Sequence, residues 1–572
     1  MIAVWAPRAK RVDLVIDGVR RVPMDGPDER GWFRAQTMIG VDESYGFSLE
    51  GGPVRPDPRS RWQPDGVDGL SRAVDHTAFD WTDGTWRGRP LTGQSVIYEL
   101  HMGTFSPEGT FDGAIDRLDH LVDLGVDVVE LLPVAQFPGR WGWGYDGVDL
   151  FAPHDAYGGP DGLKRLVDAA HARGLAVVID VVYNHLGPAG NYLREFGPYF
   201  TDRYNTPWGE AVNFDGAGSD EVRGFVIDNA LVWLRDYHAD GLRLDAVHAI
   251  LDTSAVHVLE EMAVRVADLA DDVGRPLFLV AESDLNDPRL VRPRGLGGYG
   301  LDAQWSDDFH HALHAVVTGE QAGYYADFGS IGQLAKALQQ AFVHDGEYSP
   351  FRQRRHGRPP TGVPAVRFLA YLQNHDQVGN RATGERSSML VEPGLLKVAA
   401  ALVLLGPSVP MLFAGEEWAA STPFLYFTDH QDEELGRLVS EGRRREFASF
   451  GWAPDDVPDP QSPKTFEQSK LDWDEVGDGV HQEFLDWHRR LIALRRSEPA
   501  LSSGTFDDLD VRFDEDERWL VLERGDLSIA ANFSAEPRRI PGLAGELVLA
   551  SDATAHDDLV PPESVRVVRR RS

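Results

Sequence analysis

Three short segments of this chain each end in a carboxylate: Gly241-Leu242-Arg243-Leu244-Asp245, Leu277-Phe278-Leu279-Val280-Ala281-Glu282 and Phe368-Leu369-Ala370-Tyr371-Leu372-Gln373-Asn374-His375-Asp376. Each reads as a short apolar strand with its acid at or just beyond the C-terminal end. Carboxylates delivered by separate strands to one pocket can act as proton donor and nucleophile, the pair that cleavage of a glycosidic bond requires. On a strand Arg243 and Asp245 share one face, while Leu242 and Leu244 take the other. A guanidinium beside a carboxylate keeps it ionised, as a nucleophile must be. The same pair also fits a buried ion pair that only braces a core. Glu282 leaves an apolar strand, where partial desolvation keeps a glutamate protonated as a general acid. A solvated strand-end glutamate has the same local sequence. Asp376 is a third acid, able to bind sugar hydroxyls and to help distort a ring toward an oxocarbenium-like transition state. Asp180 and His185 close another such segment, Ile179-Asp180-Val181-Val182-Tyr183-Asn184-His185. There Asp180 can pair with Arg243, and His185 can donate to a hydroxyl or be structural.

These segments belong to a regular alternation. From about Val96 onward, apolar runs at Val96–Leu100, Val126–Leu132, Ala176–Val182, Gly241–Asp245, Leu277–Glu282, Phe368–Gln373 and Val409–Ala414 read as buried strands. Amphipathic stretches such as Gly162–Arg173 and Glu221–Tyr237 lie between them. Strand and helix in alternation predict a parallel sheet. Seven strands are clear, and a further one is expected near Gly300–Trp305. The fold class is therefore α/β, a (β/α)₈ barrel, whose chemistry sits on the C-terminal ends of its strands. The tract Gly187–Gly218 is rich in Gly, Pro, Tyr and Phe and reads as a long loop after the third strand, where substrate sites form.

The flanks differ. Val12, Leu14 and Ile16 alternate with Asp13, Val15 and Asp17, close to the period of a half-buried strand, and Asp17-Gly18 is a turn signal. Gly51 to Gly69 is dense in Pro and Gly and reads as an extended crossing segment; Trp81 to Thr92 is a boundary. After about Leu501 alternation returns in Trp519–Glu523, Leu527–Phe533 and Glu546–Ala550. The expected domains are an N-terminal β-sandwich over 1–88, the barrel with loop insertions over 89–500 and a C-terminal β-domain over 501–572.

Composition narrows the function classes. At 572 residues the chain exceeds one ordinary core. Its net charge of −35 opposes phosphate backbones, so nucleic acid is not an expected partner, whereas a neutral sugar is indifferent to that field. No apolar run approaches the roughly 18 residues that span a bilayer, and no signal peptide is recognisable at the start, so no membrane partner is expected. With no cysteine, disulfides and thiolate metal sites are excluded, which suits a cytoplasmic protein. Nothing here addresses the oligomeric state.

Taken in order, four segments resemble the signature regions of the α-amylase family of glycoside hydrolases: Asp180-Val-Val-Tyr-Asn184-His185, Gly241-Leu-Arg243-Leu-Asp245-Ala-Val-His248, the stretch holding Glu282, and Asn374-His375-Asp376. Trp143-Gly144-Tyr145-Asp146 and Gly415-Glu416 add to the match, which spans roughly 95–500. The resemblance implies Asp245 as nucleophile, Glu282 as acid/base and Asp376 as transition-state stabiliser. It implies Tyr145, His185, Arg243 and His375 around the cleaved sugar, with His248 toward the leaving group. In calcium-dependent members a residue matching Asn184 is a ligand; the rest of such a site is not found here, so no metal and no cofactor is expected.

A narrower resemblance is to the malto-oligosyltrehalose trehalohydrolases. It rests on Val4-Trp5-Ala6-Pro7, Asp57-Pro-Arg-Ser-Arg-Trp-Gln-Pro64, Tyr98-Glu-Leu-His-Met-Gly103, Glu282-Ser-Asp284, Trp305-Ser-Asp307-Asp308-Phe-His310-His311 and Gln373-Asn-His-Asp-Gln377-Val-Gly-Asn380-Arg381. It implies a carbohydrate-binding-module-like N-terminal domain and malto-oligosyltrehalose or related α-glucans as partners. It also implies a sugar-binding rim of Asp307, Asp308, His310, His311, Gln377, Asn380 and Arg381. Branching and debranching enzymes share this architecture and are the alternative.

Two other features have plainer readings. His310 and His314 are one helical turn apart, but no partnering acid stands at ligand spacing. Trp141, Trp143, Tyr145, Trp208 and Trp305 can stack on sugars, with Trp143 and Tyr145 the first candidates.

Overall fold

Eight parallel strands close on one another in chain order, the last returning to pair with the first through Met411↔Ile97 and Phe413↔Glu99. They are Ile97–Leu100, Val128–Leu131, Ala176–Val181, Gly241–Leu244, Phe278–Ala281, Ala303–Trp305, Phe368–Ala370 and Val409–Phe413. The sixth falls inside the Gly300–Trp305 segment expected to supply it. The computed structural model describes residues 2–41, 43–448, 453, 456–552, 554 and 558–570.

Every residue of these strands is buried, as strands covered on both faces must be. Alternation then sorts the side chains. Val178, Val280, Trp305, Tyr371 and Met411 pack in one cluster that fills the barrel. Val177, Ile179, Leu242 and Leu244 belong to the cluster between strands and helices. Helices Gly159–Ala172 and Ser219–Asp236 start two or three residues before their expected spans, end one residue short of them, and bury an apolar stripe on that outer layer.

The N-terminal β-sandwich pairs Val12–Ile16 with Arg20–Pro23 and Ser44–Leu49, all antiparallel, while Ile2–Trp5 pairs with Trp32–Ala35. Asp17 and Gly18, at φ 49° and 70°, make the left-handed turn between the first two strands. The half-buried expectation for Val12–Ile16 is corrected: all five residues are buried. Asp13 is tolerated inside because Arg11 and Arg21 reach it at 2.8 and 3.8 Å. The Pro-rich crossing segment ties the sandwich to the barrel through Arg55–Glu195 at 2.7 Å, Arg59–Asp228 at 2.9 Å and Trp62 Nε1 to Asp155 at 2.8 Å.

The tract after the third strand is not the structureless loop its composition suggests. It holds the helix Leu193–Phe196 and an antiparallel pair, Phe200–Thr206 with Gly209–Val212. The C-terminal sheet has five antiparallel strands in the order Leu509–Asp514, Trp519–Arg524, Leu527–Asn532, Ser564–Arg569, Glu546–Ala550. It docks on the helix Pro393–Leu405, with Arg524 donating to Gly406 O at 2.7 Å. No helix among the described residues is long and apolar enough to cross a membrane.

Candidate active site

The C-terminal rim of the barrel gathers Asp180, Asp245 and Glu282 around the Arg243 guanidinium, with His375 joined to them through Tyr145. Register places Asp180 directly beside Arg243 on neighbouring strands. Asp245 and Glu282 come one residue after the last paired positions, Leu244 and Ala281. Arg243 is completely buried and donates through Nη1 to Asp180 Oδ2 at 2.8 Å and to Asp245 Oδ1 at 2.7 Å. Its Nη2 stands 3.7 Å from Glu282 Oε2. The Trp305 ring lies 4.4 Å from the guanidinium carbon. Arg243 holds its proton far above its ordinary range, because three carboxylates and Tyr145 outweigh the cost of burial.

Glu282 is pushed well above the ordinary glutamate range, first by burial and then by the charges of Asp245, Asp307 and Asp376, against the pull of Arg243. Ala246 N donates to Glu282 Oε2 at 2.6 Å. This bond follows from a strained backbone: Ala246 sits at φ 39°, ψ 51°, a left-handed conformation rare for a residue with a Cβ.

A second layer runs through Tyr145. Its hydroxyl donates to Asp180 Oδ2 at 2.7 Å and lies 2.8 Å from His375 Nε2. Burial pushes Asp180 up to about 7 despite Arg243. His375 opens the short helix His375–Gly379, whose N-cap Asn374 accepts from Asp376 N and Gln377 N at 2.9 and 3.2 Å. That cap fixes the start of the segment. Asp376 lies 3.6 Å from His375 Nε2 with its side chain 46% exposed. Asn380 Nδ2 reaches Asp376 Oδ1 at 3.4 Å. His185 bonds Tyr145 O at 3.0 Å and stacks on the Trp208 ring at 4.6 Å. His248 is exposed just past the fourth strand, in the turn Val247–Ala249.

The expected sugar-binding rim divides. Asp307 accepts from Tyr371 Oη at 2.5 Å, and burial pushes it up to about 6. Gln377 caps its own helix by accepting from Asn374 N at 3.0 Å. Arg381 bonds Glu320 at 2.9 Å on the wall of a cavity of about 510 Å³ that also includes Tyr324 and Phe351. His311 packs against Tyr324 and Phe328, and burial pushes it down to about 3. The placement of Asp308 and His310 on the rim is corrected. Asp308 is 1% exposed, and its Oδ2 accepts from Asn286 Nδ2, Val343 N and His344 N at 2.7–2.8 Å, so that oxygen holds a loop. His310 uses Nδ1 on Leu372 O at 2.6 Å and Nε2 on Tyr325 Oη at 2.8 Å. Burial leaves Asp308 little surface to meet a sugar, and His310 has both ring nitrogens engaged.

The aromatic expectation also changes. Trp143 is 6% exposed, donates to Leu425 O at 2.9 Å and packs on Phe424, so it is core. Trp305 is 1% exposed beneath Arg243. Trp208, 48% exposed and stacked on His185, is the most exposed of the five rings. His314 bonds Glu320 at 2.8 Å. Asn184 is buried, and among the described residues no group of three or more His, Cys, Asp or Glu is arranged to hold a metal ion.

Sequence reasoning passed over Glu99. Its signal is a charge in the middle of a buried strand: Tyr98 and Leu100 face outward, so Glu99 must face the barrel interior.

Residues 72–205 match the model of the alpha amylase catalytic domain, and 504–567 match a domain of unknown function, DUF3459. A malto-oligosyltrehalose trehalohydrolase of Rhizobium sp. (strain M-11) is 52% identical, covering 99% of this chain and 97% of its own. One from Arthrobacter ramosus is 54% identical, covering 96% and 95%. A crystal structure from Salmonella typhimurium, provisionally described as an alpha amylase, superposes with a TM-score of 0.92 at 40% identity, covering 100% of this chain and 97% of that one. With a carboxylate-ringed barrel mouth and such identity over nearly the whole length, the chain belongs to the family of malto-oligosyltrehalose trehalohydrolases.

Proposed function

We propose that this protein hydrolyses the α-1,4-glucosidic bond next to the terminal trehalose of malto-oligosyltrehalose, releasing trehalose and a shorter malto-oligosaccharide. The observation that carries the substrate is the 52% identity to a trehalohydrolase across 99% of the chain. Two glucoses joined anomer to anomer have no reducing end, so the leaving-group side of the cleft must hold a bent, wholly acetal-linked disaccharide.

The mechanism is double displacement with retention. Glu282, kept protonated by burial, gives its proton to the glycosidic oxygen as the bond to trehalose breaks. Asp245, oriented by the 2.7 Å bond from Arg243, attacks the anomeric carbon from the opposite face and forms a glycosyl-enzyme. Water then attacks that carbon, Glu282 takes its proton, and Asp245 leaves. Asp376, more exposed than either, faces hydroxyls of the distorted ring. Tyr145, His185 and His375 wall the cleaved sugar, and Trp208 offers an apolar face beside them. His248, Asp307, His311 and Gln377 serve the leaving group, with Asn380 and Arg381 beyond Asp376.

Product analysis tests this reading. Malto-oligosyltrehalose should be cut far faster than the matching malto-oligosaccharide, giving free trehalose, and proton NMR should show the new reducing end first as the α anomer. New α-1,6 branches on linear glucan, or equal attack on both substrates, would defeat the substrate assignment in favour of a branching or debranching activity. A β anomer would defeat the mechanism.

A further inference from the structure

Beneath the proposed sugar wall, the hydrogen-bond donors of His375 can be counted. Glu99, 1% exposed on the first barrel strand, receives His375 twice: Oε2 from the main-chain N at 3.0 Å and Oε1 from Nδ1 at 2.5 Å. The other ring nitrogen, Nε2, lies 2.8 Å from Tyr145 Oη. A tyrosine hydroxyl has one proton, and Tyr145 gives it to Asp180 Oδ2 at 2.7 Å, where Arg243 also donates at 2.8 Å. Tyr145 oxygen is then the acceptor toward His375, so Nε2 must carry a proton. Nδ1 must carry one to reach Glu99. An imidazole that donates from both nitrogens is a cation.

We infer that Glu99 is a positioning residue: by binding Nδ1 and the main-chain N–H of His375, it holds that ring as an imidazolium and fixes the Tyr145–Asp180–Arg243–Asp245 chain that ends on the nucleophile. The inference rests on the reading of Asp245 and His375 as active-site groups.

The charges around the ring agree. Facing it are Glu99 from the first strand, Asp376 at 3.6 Å from its own helix, Tyr145 from the loop after the second strand, and Arg243 and Asp180 from the fourth and third. The nearby Trp143 and Trp305 rings are uncharged. Burial pulls His375 down, but Glu99 and Asp376 outweigh it and Arg243 together, pushing the ring up to about 9. Glu130, the cross-strand neighbour of Glu99, is pushed well up by burial and by the charge of Glu99. Without the Glu99 charge, His375 falls back to one proton, and Tyr145 must choose between His375 and Asp180.

The test is nitrogen-15 NMR of histidine-labelled full-length protein, with the His375 signal assigned by subtraction of the His375→Asn spectrum. In the wild type both ring nitrogens should be protonated at pH 7.5. In Glu99→Gln the ring should be neutral at that pH, and kcat should fall about tenfold or more with a smaller change in KM, the pattern of an interaction that matters in the transition state. Glu99→Asp, which keeps the charge, should recover part of both. A neutral His375 in the wild type overturns the inference whether or not the Glu99 variants fold. So does a Glu99→Gln protein whose His375 stays doubly protonated, or whose kcat is normal. Failure of the functional reading looks different: an active Asp245→Asn enzyme would remove the mechanism, while the protonation of His375 would still be read directly.

Discussion

The fourth barrel strand carries an aspartate at each end, and the two ends have opposite characters. Asp240 precedes Gly241 at the N-terminal face; Asp245 follows Leu244 at the C-terminal face. Asp240 is completely buried and accepts four donors: Trp86 Nε1 and Arg275 Nη1 on Oδ1, both at 2.8 Å, and His171 Nε2 and Val177 N on Oδ2, at 3.0 and 2.9 Å. His171 places its other nitrogen on Asp83 at 2.9 Å, and Trp86 stacks on the ring at 4.5 Å. The segment between sandwich and barrel is clamped there. At the opposite end Asp245 takes one hydrogen bond, from Arg243, among the described residues. Around it Asp180 Oδ1, Arg243 Nη2 and His185 Nδ1 are buried without a hydrogen-bonding partner among those residues. The same device, a buried cation shared by carboxylates, is saturated where it braces the fold and unsaturated where chemistry is proposed. Unsaturated polar groups cost stability, and a functional site is where such a cost persists.

The largest effect expected from this contrast is in catalysis. Asp245→Asn and Glu282→Gln should each lower kcat by about ten-thousandfold or more while thermal unfolding changes little. Asp240→Asn should do the reverse: folded protein should retain kcat within a small factor. Steady-state kinetics on purified, folded variants decide this; a folded Asp240→Asn enzyme without activity would break the comparison.

Stability shows the other side. Removing one partner of the saturated cluster, in Asp240→Asn or His171→Gln, should cost about 3–5 kcal/mol in denaturant unfolding, because buried charges are left uncompensated. A loss that small changes at Asp245 already produce would mean that the two ends do not differ.

The two ends also predict separate pH dependences. For His171 burial lowers the pKa, but Asp240 and Asp83 outweigh it and raise the net value above the ordinary one. Its contribution to stability is therefore complete below about pH 6.5, the unfolded value, and is lost as pH rises through the folded value. Melting temperatures across that alkaline range should fall less steeply in His171→Gln than in the wild type. For Glu282, the proposed acid, the effect is kinetic: its raised pKa means that kcat/KM should fall as pH climbs through that value, when the acid loses its proton. An alkaline limb unchanged in residual activity of Glu282→Gln would assign that limb to another group.

The smallest effects sharpen the rim. Asp308→Asn should cost about 1–3 kcal/mol by loosening the turn at Val343 and His344, and leave the preference for the trehalose-capped substrate intact. His248→Ala should leave stability unchanged and reduce that preference, measured as the ratio of kcat/KM on capped and plain substrates.

Much of this site is legible in one dimension. Period-two alternation puts Arg243 with Asp245 and turns Leu242 and Leu244 away, because backbone geometry alone decides which side chains share a face. Short apolar strands ending in acids imply a barrel with its chemistry at one rim, and these need no knowledge of contacts. The corrections within the site have one cause: the same residue types serve an exposed rim and a buried brace, and the difference lies in partners distant in sequence. Asp308 is buried with its Oδ2 held by backbone groups 35 and 36 residues away, and Trp143 is held by a carbonyl 282 residues away. Glu99 binds a histidine 276 residues downstream. The sequence by itself determined the strand faces, the barrel and the positions of the acids, since those follow from local periodicity. Only the tertiary structure decided which acids are saturated and which remain available, because that depends on how many donors the closed barrel brings to each carboxylate.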